Sequence, residues 1–239
     1  MKHLSNILVL GDSILKGIQL DPESQKYCTK NEIDIAGISD RFDLTIRNDS
    51  RFGFTVTKGA RLIGRMLDRG LQCDALVMDF GGNDCDFKWA EIAADPTGAH
   101  LPHTPLEEFE SVYRELIHTL RGKGILPILT TLPPLVPQRF FDWWCGGLDR
   151  ERVMAWLGGV HNIYAHQENY SRRVERIARE ELVPLVDIRG AFLDYGHLEE
   201  LICGDGTHPN SQGQALISKA FLDFADRYRK AEQNSLPTI

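Results

Sequence analysis

The strongest constraint on this chain is an alternation: short, β-prone apolar runs are separated by longer stretches with helical periodicity. The runs fall at residues 6–10, 43–47, 75–80, 125–131 and 183–188. Ala75-Leu76-Val77-Met78 and Ile125-Leu126-Pro127-Ile128-Leu129 are apolar nearly throughout, as strands buried on both faces must be. Parallel strands need crossover connections long enough for a helix, and the intervening stretches supply that length. The expected fold is α/β: a three-layer α/β/α, flavodoxin-like domain on a five-stranded parallel sheet.

Two of the intervening helices have legible ends. Leu106, Phe109, Val112, Tyr113, Leu116, Ile117 and Leu120 recur at three- and four-residue steps, giving one apolar face. Thr104 reads as the N-cap, Pro105 as the first turn, Glu107 as the partner in a capping box and Gly122 as the stop. Ser211-x-x-Gln214 reads as a second box, ahead of a buried stripe of Ile217, Phe221, Phe224 and Tyr228. Residues 233–239 read as a frayed tail.

No repeat or linker divides the chain, so residues 1–239 are expected to form a single domain, with one addition. An aromatic-rich insertion at about residues 133–161 carries Phe140, Phe141, Trp143, Trp144 and Trp156, and one or two short helices are expected in it. It follows the fourth strand, so it leaves from the carboxyl edge of the sheet, where open α/β folds place ligands. Such residues suit a pocket wall, a lid or an interface between two copies of the chain equally well.

Composition narrows the function. With 27 basic against 34 acidic side chains and a net charge of −7, nucleic acid is excluded as the main partner, since phosphate binding wants clustered Lys and Arg. The apolar start at residues 7–10 stops at Gly11-Asp12. It is too short for a secretion signal, no later window would span a bilayer, and no stable membrane association is expected. Five cysteines without a C-x-x-C pair read as reduced thiols, pointing to the cytoplasm.

Four segments at strand ends or at the last helix entry carry groups suited to chemistry. Gly11-Asp12-Ser13 puts a hydroxyl on a strand-to-helix turn; alone, it reads more readily as a helix cap. Asn48 to Thr55 contains Gly53, a turn glycine with a backbone N–H to offer. Phe80-Gly81-Gly82-Asn83-Asp84 offers a side-chain amide as a neutral donor. Asp205-Gly206-Thr207-His208 sets a carboxylate three residues before an imidazole, close enough to fix its tautomer. In a doubly wound sheet these places converge on one crevice, and together they make the parts list for acyl transfer.

These residues resemble the SGNH (GDSL-type) hydrolases. Gly11-Asp12-Ser13, Asn48 with Gly53 five residues on, Gly81-x-Asn83-Asp84 and Asp205-x-x-His208 match that family's four blocks, in order. The lipase motif G-x-S-x-G of the α/β-hydrolase fold is absent. The resemblance implies Ser13 as nucleophile, His208 as general base and Asp205 as its partner. It also implies an oxyanion hole from the Ser13 and Gly53 amides and the Asn83 side chain, with Gly59 as the alternative to Gly53. Asp12 and Asp84 are expected to brace loops. Ile14 stands where the longer GDSL signature has leucine, and Arg51-Phe52 before Gly53 is unusual.

The implied function is serine-dependent hydrolysis of a small-molecule ester through an acyl-enzyme, on small acyl esters or O-acetylated sugars. No metal or organic cofactor is expected; His100-x-x-His103 has ligand spacing but lies in a loop without a carboxylate or cysteine cluster. His161 and His166 read as polar helix positions. Trp89, just after Asn83-Asp84, and Trp143 and Trp144 of the insertion are the candidate substrate contacts. The competing class is a flavodoxin-like ligand-binding module without catalysis.

Overall fold

A computed structural model describes residues 3–30 and 32–234. In chain order its elements are β1 (Asn6–Gly11), β2 (Ile18–Leu20), β3 (Tyr27–Thr29), α1 (Ile35–Phe42), β4 (Thr45–Asn48), α2 (Val56–Asp68), β5 (Ala75–Asp79) and α3 (Trp89–Ala94). There follow α4 (Leu106–Gly122), β6 (Leu126–Thr130), α5 (Pro137–Trp144), α6 (Arg150–Leu157), α7 (His161–Glu180), β7 (Leu185–Val186), α8 (Ile188–Tyr195) and α9 (Ser211–Asn234). The main sheet is five-stranded in the order β4-β1-β5-β6-β7, and every pairing in it is parallel.

Strand alternation sorts the core into two layers. Leu8, Leu10, Leu76 and Met78 pack with Ile63 of α2, Phe109 and Tyr113 of α4, and Tyr170 and Val174 of α7. Their neighbours Val9, Ala75 and Val77 face the other way, onto Ile188 and Phe192 of α8 and Ile217 and Ala220 of α9. Buried apolar area on both faces is the chief driving force for this arrangement. The strand order reverses between β1 and β5, so the crevice of the fold opens beyond Gly11 and Asp79.

Several local expectations need correction. The chain does not enter a helix after β1; it turns through residues 12–17 and forms the antiparallel hairpin β2–β3. The second sheet strand begins at Thr45 because α1 runs on to Phe42 and Asp43 closes it in a left-handed conformation (φ 53°). The last strand shrinks to Leu185–Val186 because Asp187 accepts from Gly190 N and starts α8.

Neither capping box forms. Thr104 is tied into tertiary contacts instead, its N–H donating to the Asp84 carbonyl (3.0 Å) and its carbonyl accepting from the Tyr170 hydroxyl (2.7 Å). At α9, Asn210 Oδ1 accepts from Gly213 N (3.1 Å), while Gln214 is buried and accepts from Glu32 N (3.2 Å). Of the expected frayed tail, Gln233 and Asn234 are helical, and residues 235–239 lie outside the described residues.

The insertion forms the short helices α5 and α6. Phe140, Phe141, Cys145, Val153 and Leu157 are buried in a third cluster with Trp89 and Ile92 of α3 and Ile163 of α7. Area buried against the chain itself is not available to a second copy. No helix among the described residues is long and apolar enough to cross a membrane.

Candidate functional site

Ser13, His208 and Asp205, far apart in the chain, form one continuous hydrogen-bonded series. Ser13 Oγ lies 2.9 Å from His208 Nε2, and His208 Nδ1 lies 2.5 Å from Asp205 Oδ2. All three side chains are buried. Burial pulls the Asp205 pKa up, but the hydrogen bond and charge of His208 and the N–H groups of Thr207 and His208 outweigh it, and the carboxyl sits below its ordinary range. An ionised carboxylate only accepts, so His208 Nδ1 donates to it, and in the neutral ring Nε2 then presents a lone pair to the Ser13 hydroxyl. An imidazole placed this way can take a hydroxyl proton.

Each member is held by backbone. The Asp205 Oδ1 accepts from Thr207 N (3.0 Å) and His208 N (3.1 Å), which folds the four residues into a tight turn. Gly206 occupies that turn at φ 77°, and its carbonyl accepts from Val136 N (2.9 Å) at the root of the insertion. The His208 carbonyl accepts from Cys203 N (2.8 Å). At the other end, Asp12 N donates to the Asp79 carbonyl across β1 and β5 (3.2 Å), and Asp12 Oδ1 accepts from Ile14 N (2.9 Å), fixing the turn that presents Ser13.

The remaining blocks surround the same point. Asn83 Nδ2 donates to Asp12 Oδ2 (3.0 Å) with one of its two hydrogens, leaving the other available. Asn48 Nδ2 donates to the Leu15 carbonyl (2.6 Å), and Arg51 N to the Gly11 carbonyl (3.0 Å), so the second block is laced onto the first. Gly53 sits at φ 71°; neither its amide nor that of Ser13 has a hydrogen-bond partner among the described residues. Gly59 is inside α2, its N–H bonded to the Thr55 carbonyl (2.9 Å) and its Cα pressed on the Phe80 ring. It is a packing glycine whose N–H is already engaged, in contrast to that of Gly53.

Asp12 and Asp84 are structural in their contacts. Asp84 accepts from Val56 N through both oxygens (2.9 and 3.1 Å), closing the start of α2. Burial pushes its pKa up to about 7. Burial also raises Asp12 well above the ordinary range, helped by the charge of Asp79, which is itself raised by burial.

The aromatic residues divide into two groups. Tyr27 and Phe52 lie on the His208 ring, with centroids 5.1 and 6.0 Å away, and Trp143 and Trp144 stand behind Tyr27 at 6.4 Å each. The buried Tyr27 hydroxyl faces Asp205, and burial together with that charge holds its pKa up. Trp89 belongs to the other group. Its Nε1 donates to Asp86 Oδ1 (2.9 Å), and with Phe87, Phe140 and Trp156 it walls a cavity of about 200 Å³. Trp143 and Trp144 do not line that cavity.

Sequence reasoning missed Tyr27, which arrives on the unrecognised hairpin; His166 is on helix α7 as expected, but it also lines the cavity, with Nε2 donating to the Cys85 carbonyl (3.0 Å). Composition carries no signal for either. His100 has its Nε2 on the Asp95 carbonyl (2.7 Å), and no group of three or more His, Cys, Asp or Glu among the described residues is arranged to hold a metal.

This geometry agrees with a comparison of the whole sequence, in which the GDSL-like Lipase/Acylhydrolase family matches residues 9–216. The chain belongs to that family. No curated protein matches the sequence. Among solved structures, LAE5, an alpha/beta hydrolase from the metagenome of Lake Arreo in Spain, superposes with a TM-score of 0.65 at 23% identity, covering 93% of this chain and 95% of its own. A variant of the acetylxylan esterase Axe2 from Geobacillus stearothermophilus gives 0.65 at 20% identity, covering 94% and 96%. The psychrotrophic esterase EstA from Pseudoalteromonas, solved with monoethylphosphonate as inhibitor, gives 0.60 at 15%, covering 95% and 99%. The family carries ester hydrolysis as its chemistry, and these neighbours share the α/β fold.

Proposed function

We propose that this member of the GDSL-like family is a serine-dependent ester hydrolase that works through an acyl-enzyme. The observation that carries the reading is the unbroken series Ser13 Oγ–His208 Nε2 and His208 Nδ1–Asp205 Oδ2. In acylation, Ser13 Oγ forms a bond to the ester carbonyl carbon as its proton passes to His208 Nε2; Asp205 stabilises the imidazolium. The carbonyl oxygen becomes an oxyanion, met by the Ser13 and Gly53 amides and the free Asn83 amide hydrogen. Collapse breaks the bond to the alcohol oxygen, which leaves with the proton from His208. Water, deprotonated by His208, then attacks the acyl-serine and releases the acid and the hydroxyl.

The substrates are small acyl esters. The acetyl-xylooligosaccharide esterase activity of Axe2 makes acetylated sugars one family to assay. Five cysteines that are all free thiols support a cytoplasmic site of action.

The test is labelling with a serine-directed fluorophosphonate, with the adduct located by peptide mass; the inhibition of EstA by a phosphonate supports the choice of probe. An adduct at Ser13 that is lost in His208→Ala is the expected result. An unmodified Ser13 in folded protein would overturn the reading and favour a non-catalytic binding module.

A further inference from the structure

The cavity beside the site has one well-defined chemistry. Its walls include Phe87, Trp89, Leu135, Phe140, Trp156 and Ile163, and its lining also includes Gly82 and Thr207, the residues immediately before Asn83 and His208. The rings meet edge to face, Phe87 on Trp156 at 5.0 Å, Trp89 on Phe140 at 5.9 Å and Trp89 on Trp156 at 6.5 Å. Edge-to-face packing fixes ring orientations, so the walls brace one another around the space.

Most polar groups on the lining already have partners. Trp89 Nε1 is bonded to Asp86, His166 Nε2 to the Cys85 carbonyl, Asn162 Nδ2 to the Leu157 carbonyl, and Gln167 to the Pro133 carbonyl and to Arg189. Burial also lowers the His166 pKa, disfavouring its charged form. A sugar ring entering here would find few free partners for its several hydroxyls and would bury most of them unpaired, which is unfavourable. The lining polar side-chain atom left buried without a partner is Thr207 Oγ1, on the residue before His208.

We infer that this cavity receives the acyl chain of the ester, selects apolar acyl groups longer than acetyl, and leaves the alcohol outside. The inference rests on the reading of Ser13 as nucleophile and deepens it. A cavity of about 150 Å³ holds one benzene ring, so the volume of about 200 Å³ suits an acyl group of roughly six to eight carbons. The aromatic insertion is then the wall of the acyl site, and its helices α5 and α6 set the length accepted.

The experiment is a series of p-nitrophenyl esters from acetate to decanoate, with the leaving group constant. The expected kcat/KM is at least about tenfold higher for hexanoate than for acetate and falls again at decanoate. Ile163→Trp, which fills the cavity, lowers the hexanoate-to-acetate ratio about tenfold; Trp156→Ala, which enlarges it, moves the optimum to longer chains. If one variant fails to fold, the other decides. A series that peaks at acetate, or a ratio unmoved in the folded variants, overturns the acyl-site assignment while Ser13-dependent hydrolysis stands. Absence of Ser13-dependent turnover on every ester overturns the reading beneath it as well.

Discussion

Asp84→Asn offers a test of the electrostatics behind the site. The carboxyl is wholly buried, with both oxygens on Val56 N, and burial moves its pKa from an ordinary 3.8 to about 7. Between those values the folded chain keeps a proton that the unfolded chain has lost. The stabilisation is therefore fully present below pH 3.8 and disappears as the pH rises through about 7. Linkage over pH 4.5 to 7.5 gives a loss of about 3 kcal/mol from this group. Asparagine is neutral throughout, and its Oδ1 can still accept from Val56 N, so the variant lacks this component of the pH dependence. Urea unfolding of both proteins at pH 4.5 and 7.5 measures it. The variant's stability relative to the parent should improve by about 3 kcal/mol on going to the higher pH. A difference that stays constant within about 1 kcal/mol would refute the argument that Asp84 is folded in its neutral form.

Three further outcomes are expected. Asn83→Ala removes one donor from the proposed oxyanion site and should lower kcat by about a hundred- to thousandfold, with little change in the thermal midpoint. Arg189→Leu removes a buried guanidinium that is paired with Glu168 (2.5 Å) and donates to Gln167 Oε1 (2.9 Å) and the Leu132 carbonyl (3.1 Å). It should cost about 2–4 kcal/mol in urea unfolding, read from the midpoint at unchanged slope. Gly206→Ala should be much worse than Gly124→Ala. Both glycines have positive φ, but a Cβ at 206 would lie 2.2 Å from Phe140 N, whereas at 124 nothing is within 4 Å. Side-by-side thermal melts should show a shift of about 1 kcal/mol for Gly124→Ala and several times that for Gly206→Ala.

The chemistry-bearing positions were legible because their signals are local. Asp205 and His208 are three residues apart, and the turn that joins their side chains is set by Asp205 accepting from the backbone of Thr207 and His208. Gly11-Asp12-Ser13 and Gly81-Gly82-Asn83-Asp84 sit at the ends of strands whose apolar runs are visible in one dimension. The ends of helices were less legible. Thr104 and Ser211 have the right side chains for caps, yet the Thr104 backbone is engaged by Asp84 and Tyr170, and Asn210 does the capping at α9. A cap is a competition among partners, and only the fold brings the competitors together.

The sequence by itself determined the layer architecture and which side chains meet in the crevice, since short continuous apolar runs buried on both faces and separated by helix-length stretches leave a parallel sheet as the solution. Only the tertiary structure decided what surrounds them. Strands as short as Ile18–Leu20 and Tyr27–Thr29 have no periodic signal, so the hairpin that lays Tyr27 on His208 could not be read in advance. Likewise, Trp143, Trp144 and Trp156 are equivalent as letters. The rotation of α5 and α6 sends the first two toward Tyr27 and the third into the cavity, because each helix buries the face that meets Trp89, Ile92 and Ile163.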